Sequence, residues 1–158
     1  MLTRLLVLLS VCATAMAEPS EAEQPPITTP EEMLQAISKS HVDANMPPEN
    51  ELHSILGRDL KAFAETEFPE RDAEDPKYQI LGMKQVGIGW PRLYMIVNFD
   101  DERDPERFGL LSAIAKDQER FEVEHFLSIA KAKAEPGAAQ ELFPPEVFQW
   151  LSERADRE

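Results

Sequence analysis

The chain carries a single cysteine, Cys12, and it falls inside an N-terminal stretch, MLTRLLVLLSVCATAMA, with the build of a secretory signal. Arg4 gives a short basic start, Leu5 to Val11 an apolar centre, and Ala15-Met16-Ala17 a small-x-small cleavage site. Cleavage is expected before Glu18, making residues 1–17 a signal peptide and leaving a mature chain with no disulfide and no thiol nucleophile. The apolar run is far shorter than the roughly 20 residues that span a bilayer, so no membrane insertion is expected after cleavage. A lipoprotein would need a small residue before Cys12, where Val11 stands. Asn-x-Ser/Thr sequons are also missing, since Asn45, Asn50 and Asn98 all fail the pattern. That absence favours a bacterial envelope over a eukaryotic secretory route. The expected location is exported, either periplasmic or secreted.

Basic residues are scarce. Sixteen Lys and Arg stand against thirty Asp and Glu, a formal charge of −14. Such a field repels nucleic acid and anionic lipid and draws basic partners or divalent cations, although it also serves plain solubility. A nucleic-acid role is excluded on this ground. Without disulfides a small exported domain must rest on buried apolar surface.

That surface centres on Tyr78 to Asn98, YQILGMKQVGIGWPRLYMIVN. It predicts a long strand, a tight connection over Gly87-Ile88-Gly89-Trp90-Pro91-Arg92, and a second strand that is almost wholly apolar. Before it, residues 18–28 form a Pro- and Glu-rich flexible leader. Thr29-Pro30-Glu31-Glu32 predicts a capped helix start, with Glu32 placed for a capping box and the helix running to about Ser40. His41 to Pro48 breaks it. Glu49 to Phe68 predicts the main helix, because Leu52, Ile55, Leu56, Leu60, Phe63 and Ala64 recur at three- and four-residue intervals. Gly57 in its middle costs about 1 kcal/mol relative to Ala, which a close approach to the sheet would explain. Glu70 to Pro76 is a charged connection.

After the hairpin, Asp100 to Arg107 (DDERDPER) predicts a solvated loop that lacks the glycine and terminal glutamate of an EF-hand. Phe108 to Lys116 predicts a third strand. Arg120 to Leu127 alternates, placing Phe121, Val123, His125 and Leu127 on one face and Glu122, Glu124 and Phe126 on the other. Ser128 can cap a short helix over Ile129 to Glu135, which Pro136-Gly137 ends. Pro144-Pro145-Glu146 opens a last helix carrying Val147, Phe148, Trp150 and Leu151. The fold class is therefore α+β: a long helix packed across a curved antiparallel sheet of about four strands, with C-terminal helices closing an edge or end. A single domain occupies 29–154 and a polar tail 155–158.

Chemistry is thinly supplied. There is no Gly-x-Ser-x-Gly elbow, and His53-Ser54 are neighbours on a helix that point apart. His41, His53 and His125 lack metal-ligand spacing. Glu122 and Glu124 align on a polar strand face. Gly87-x-Gly89 lacks the third glycine of a phosphate loop, and a strand follows it instead of a helix. No catalytic residue, metal or cofactor is assigned. His125 shares its strand with apolar residues, which makes it a candidate pH-responsive or pocket residue. The binding candidates are Gln85, Gly87, Gly89, Trp90 and Arg92. The glycines permit close-approach backbone, and Trp and Arg are frequent interface anchors. Trp90 either folds back over one end of the core or stands exposed as a hot spot, and Arg92 either pairs with a local acid or contacts a partner.

Gln85-Val86-Gly87-Ile88-Gly89, after a long helix and before Leu93-Tyr94-Met95-Ile96-Val97, resembles the first inhibitory hairpin of the cystatins. Gln85 and Gly89 match that family's Gln-x-Val-x-Gly loop, whereas Gly87 stands where the motif has valine. The resemblance covers about Glu49 to Phe99. It implies a helix across an antiparallel sheet and, as one functional alternative, inhibition of a cysteine protease. The leading expectation is a non-catalytic envelope protein that binds a protein or small ligand. A third alternative is an enzyme whose acid/base site is assembled only by the fold.

Overall fold

The computed structural model describes residues 29–39, 51–69, 78–88 and 91–156. The expected signal segment and leader, the break at 41–48, the connection at 70–76 and the last two residues of the tail lie outside these. Among the described residues the order is α1 (Pro30–Lys39), α2 (Glu51–Glu67), β1 (Gln79–Val86), β2 (Arg92–Asn98), β3 (Phe108–Asp117), β4 (Arg120–Ser128), α3 (Ile129–Ala134), α4 (Ala138–Leu142) and α5 (Pro145–Ala155).

Local chemistry accounts for the helix ends. Thr29 Oγ1 accepts from the Glu32 amide at 3.3 Å while Glu32 Oε2 accepts from the Thr29 amide at 3.2 Å. This reciprocal capping box satisfies two of the orphan donors at the start of α1. Ser128 caps α3 by accepting from the Lys131 amide at 3.1 Å. Helix α4 carries no sequence signal. It is five residues long with one buried side chain, Ala139, too short for a period to register, and it starts after Gly137 turns the chain at φ 98°.

The strands form one open antiparallel sheet in the order β1-β2-β3-β4. Strand β2 is buried on both sides. Leu93, Met95 and Val97 belong to one core with Leu56, Leu60 and Ala64 of α2, together with Leu111, Ala113 and Phe121. Tyr94 and Ile96 belong to a second core with Leu34 and Ile37 of α1, Ile129, Phe143, and Val147 and Leu151 of α5. The sheet is thus a middle layer between α2 and a group of helices from both ends of the chain. The C-terminal helices, expected at an edge or end, share with α1 the covering of a face, because alternate residues of β2 and β3 leave two apolar surfaces to bury. Each fully buried Leu, Ile or Met contributes roughly 1.5–3 kcal/mol.

Irregularities in the ladder redirect side chains. In β1 the register shifts between Ile80 and Gly82, so Leu81 is an extra residue. Ile80 then joins the α2 core while Leu81 joins the other. In β4, Ser112 pairs with His125 and Ala113 with Val123, which leaves Glu124 unopposed. The strict alternation expected for β4 therefore fails. Phe121, Val123 and Phe126 pack on the α2 side, while Leu127 joins the opposite core. His125 does not share a face with Phe121 and Val123, because the extra residue flips everything after it.

Two ties hold the layers in register. From α2, Arg58 Nη2 donates to the Glu119 carbonyl at 2.5 Å, and Asp59 Oδ2 accepts from the Phe121 amide at 2.7 Å. From the β2–β3 loop, Arg103 Nη1 donates to the Ser38 carbonyl at 2.7 Å, at the α1 end where a cation is favoured. The Pro105 carbonyl of the same loop accepts from the Ala130 amide at 3.0 Å. The loop is exposed at Asp101, Glu102, Pro105 and Glu106, yet it fastens α1 and α3 to the sheet.

Two glycines separate backbone from side-chain constraint. A Cβ on Gly109 would run into the backbone of Leu127 and Ser128, whereas one on Gly57 would meet only the phenol of Tyr78. Gly109→Ala is expected to cost roughly 1–3 kcal/mol, the range for overpacking. Gly57→Ala is expected to cost less, and in a Tyr78→Phe background to become stabilising by up to about 1 kcal/mol through helix propensity. Urea denaturation of Gly109→Ala, Gly57→Ala, Tyr78→Phe and the Gly57→Ala/Tyr78→Phe double variant beside wild type measures both effects.

Candidate functional site

The β1–β2 hairpin projects its tip away from both cores. Burial falls steadily along β1, from Leu81 to an exposed Gln85 and Val86. Gly87 sits at φ 94°, in the left-handed region that favours glycine, with nothing near its Cα face. Ile88 is 103% exposed and Val86 40%, and they are the exposed large apolar side chains among the described residues. Gly89 and Trp90, expected in the same connection, lie outside the described residues. The chain re-enters the sheet at Pro91, whose carbonyl accepts from the Ala115 amide at 3.1 Å.

Arg92 is not a free cation. Its Nε lies 2.8 Å from Glu124 Oε2 and its Nη2 donates to Oε1 at 2.9 Å, a two-pronged pair. The hydrogen bond that Arg92 donates to Glu124 holds the guanidinium above its ordinary range, outweighing the opposing effect of partial desolvation, with a smaller contribution from Tyr94. The pair forms where the register shifts, since Glu124 is the residue of β4 left unopposed in the ladder. No pattern in the sequence links residues 32 apart.

His125 stands one step from that pair. Lys84, Tyr94, Ser112 and His125 lie directly opposite one another across the four strands. Tyr94 and Ser112 are buried, and Ser112 Oγ has no hydrogen-bond partner. His125 itself is exposed, with its ring edge-on to Phe143 at 6.4 Å. The fold therefore brings Arg92 and His125 to the same face and the same end of the sheet.

The opposite end holds a feature with no sequence signal, an open depression of about 650 Å³. Its apolar side is Phe68, Pro69 and Phe126, at the end of α2 and on β4. Phe68 and Phe126 belong to a four-ring cluster with Phe63 and Phe99, whose centroids lie 5.4–6.1 Å apart in the contacting pairs. Its charged side is Glu67, Asp104, Glu106, Arg107 and Lys131. Arg107 is engaged already, 5.7 Å above the Phe68 ring and 3.5 Å from Asp100. The acids of the β2–β3 loop stand out in the sequence, but only tertiary contact makes that loop a wall.

Among the described residues no group of three His, Cys, Asp or Glu side chains is placed to hold a metal ion. No described helix is long and apolar enough to cross a membrane. His41 and the side chain of His53 lie outside the described residues.

The Arg92–Glu124 pair is partly exposed, with side chains 44% and 26% accessible, so its strength belongs to the weak class. A double-mutant cycle with Arg92→Ala and Glu124→Ala is expected to give a coupling of about 0.5–1 kcal/mol. The coupling should shrink in about 1 M salt, where screening shortens to roughly 3 Å. Comparison of the chain with known protein families, curated proteins and solved structures gives no match, so the likeness to cystatins rests on the hairpin residues alone.

Proposed function

We propose that the chain is an exported, non-catalytic binding protein of the cell envelope that meets a protein partner at the β1–β2 hairpin tip. The contact surface runs from Gln85 through Gly87, Gly89 and Trp90 to Arg92. The observation that carries this reading is the full exposure of Ile88 at the point of the tip, with Val86 exposed beside it. A lone exposed apolar residue needs no explanation. Two on one tip, flanking a φ-positive glycine and preceding a tryptophan in sequence, form a small apolar point on a strongly acidic molecule. Arg92, braced by Glu124, serves this surface as a fixed edge while its charge is largely spent on its partner. The acidic field favours a partner with a basic approach surface.

The same exposure of Gln85, Val86 and Gly87 supports a second reading, a wedge of cystatin type entering a cysteine-protease cleft. The two are separated by one assay. Nanomolar inhibition of a papain-like protease supports the wedge, and no inhibition at micromolar concentration removes it.

The binding reading is tested by capturing partners from the native envelope fraction with wild type, Ile88→Asp and Trp90→Ala. A photocrosslinking residue placed at Ile88 identifies what touches the tip. Each substitution is expected to weaken the captured partner by about 2 kcal/mol, roughly thirtyfold in affinity, while the midpoint of urea unfolding stays near that of wild type. Equal loss of fold and binding, or unchanged capture by both variants, overturns the assignment.

A further inference from the structure

The geometry points to a second site, the depression between the end of α2 and the β2–β3 loop, as a binding site for a small organic cation: a protonated amine carried on an aromatic or branched apolar body. Its volume of about 650 Å³ lies within the range of small-ligand sites. It stands at the end of the sheet away from the hairpin tip and does not depend on the reading given to that tip.

Three features choose a cation over an anion or a neutral molecule. The first is the balance of available charge. Glu67, Asp104 and Glu106 face two cations, and one of those, Arg107, is held by Asp100 and by the face of Phe68. Glu67 and Glu106 have no ion pair among the described residues. The second is the helix end. Glu67 and Phe68 close α2, a helix of 17 residues whose last turn holds no basic side chain. By contrast α1 ends with Lys39 and α5 with Arg154. The carbonyl end of a helix carries partial negative charge and favours a cation, so the counter-charge that α1 and α5 carry themselves is missing from α2. The third is the apolar side. Phe68 and Phe126 are seated in the four-ring cluster, and they offer apolar contact to the body of the ligand. Arg107 above Phe68 shows that a cation can sit on this surface. The overall charge of −14 raises the local concentration of any such ligand.

Lys131 gives the proposal a sign that a nonspecific surface would not. Its ammonium lines the depression without an ion pair among the described residues, so it competes with a bound amine.

The experiment titrates the protein with phenethylamine, 2-phenylethanol and 3-phenylpropionate at low ionic strength, following backbone amide shifts by NMR. The amine is expected to shift resonances of Phe68, Glu106, Phe126 and Lys131 in a saturable way, and to bind at least about tenfold more tightly than the alcohol, with the carboxylate weakest. Glu67→Gln and Glu106→Gln should each weaken the amine by about threefold, and Lys131→Ala should tighten it by about as much, in keeping with partly exposed charge pairs. All three positions are on the surface side of the fold, and the amide spectra themselves show whether each variant is folded. Equal affinity for amine and alcohol, shifts centred elsewhere, no saturation in the millimolar range, or weaker amine binding in Lys131→Ala overturns the proposal.

Discussion

From Leu93 to Asn98, strand β2 is buried on both sides, and the rest of the architecture answers that constraint. Antiparallel meanders commonly keep one face in solvent. Here Leu93, Met95 and Val97 need one cover, and Tyr94 and Ile96 need another. One long helix cannot supply both. The chain meets the second demand with α1 from before the sheet and α3, α4 and α5 from after it, so one core is closed by segments far apart in sequence. Its cooperativity follows from that: removing either terminal group of helices opens the same core.

Elements that rest on local chemistry were legible in the sequence. The capping box of Thr29 and Glu32, the Ser128 cap, the stripe on α2 and the hairpin around Gly87 each depend on residues a few positions apart. Register was not legible, because it depends on which residues the ladder skips. One unopposed residue, Glu124, breaks the alternation of β4, moves His125 to the other face and supplies the partner of Arg92. The covering of the second face was hidden for a related reason. Helix α5 shows its apolar stripe plainly, but nothing within it says which layer it joins. The β2–β3 loop was equally misleading, since its charged composition signals solvent while Arg103 and Pro105 in fact bind helices. Of the candidate site, the position of the tip could be read in advance, whereas the exposure of Val86 and Ile88 could not. The depression could not, since its walls come from three segments that meet only in the fold.

The meander also sorts chemistry by end. Successive hairpin turns alternate, so the β1–β2 and β3–β4 connections share one end of the sheet, and the β2–β3 loop occupies the other. Helix α2 spans the distance, tied by Arg58 and Asp59 to the β3–β4 hairpin and finishing with Phe68 in the ring cluster. An apolar point therefore stands at one end of the sheet and a charged, aromatic-floored depression at the other. The fold has room for two contacts that do not compete for space.

The two ladder irregularities next to the free edges have a consequence beyond aiming side chains. An open sheet presents unpaired backbone on its first and last strands, an invitation for another copy to add on. Here both outer strands are kinked by an extra residue, Leu81 in β1 and Glu124 in β4. At the first kink Arg154 also reaches over Gly82, where no side chain stands in its way, to bond the Leu81 carbonyl at 2.5 Å. A straight incoming strand cannot match either edge for long. Both outer strands thus discourage edge-to-edge addition of a further copy.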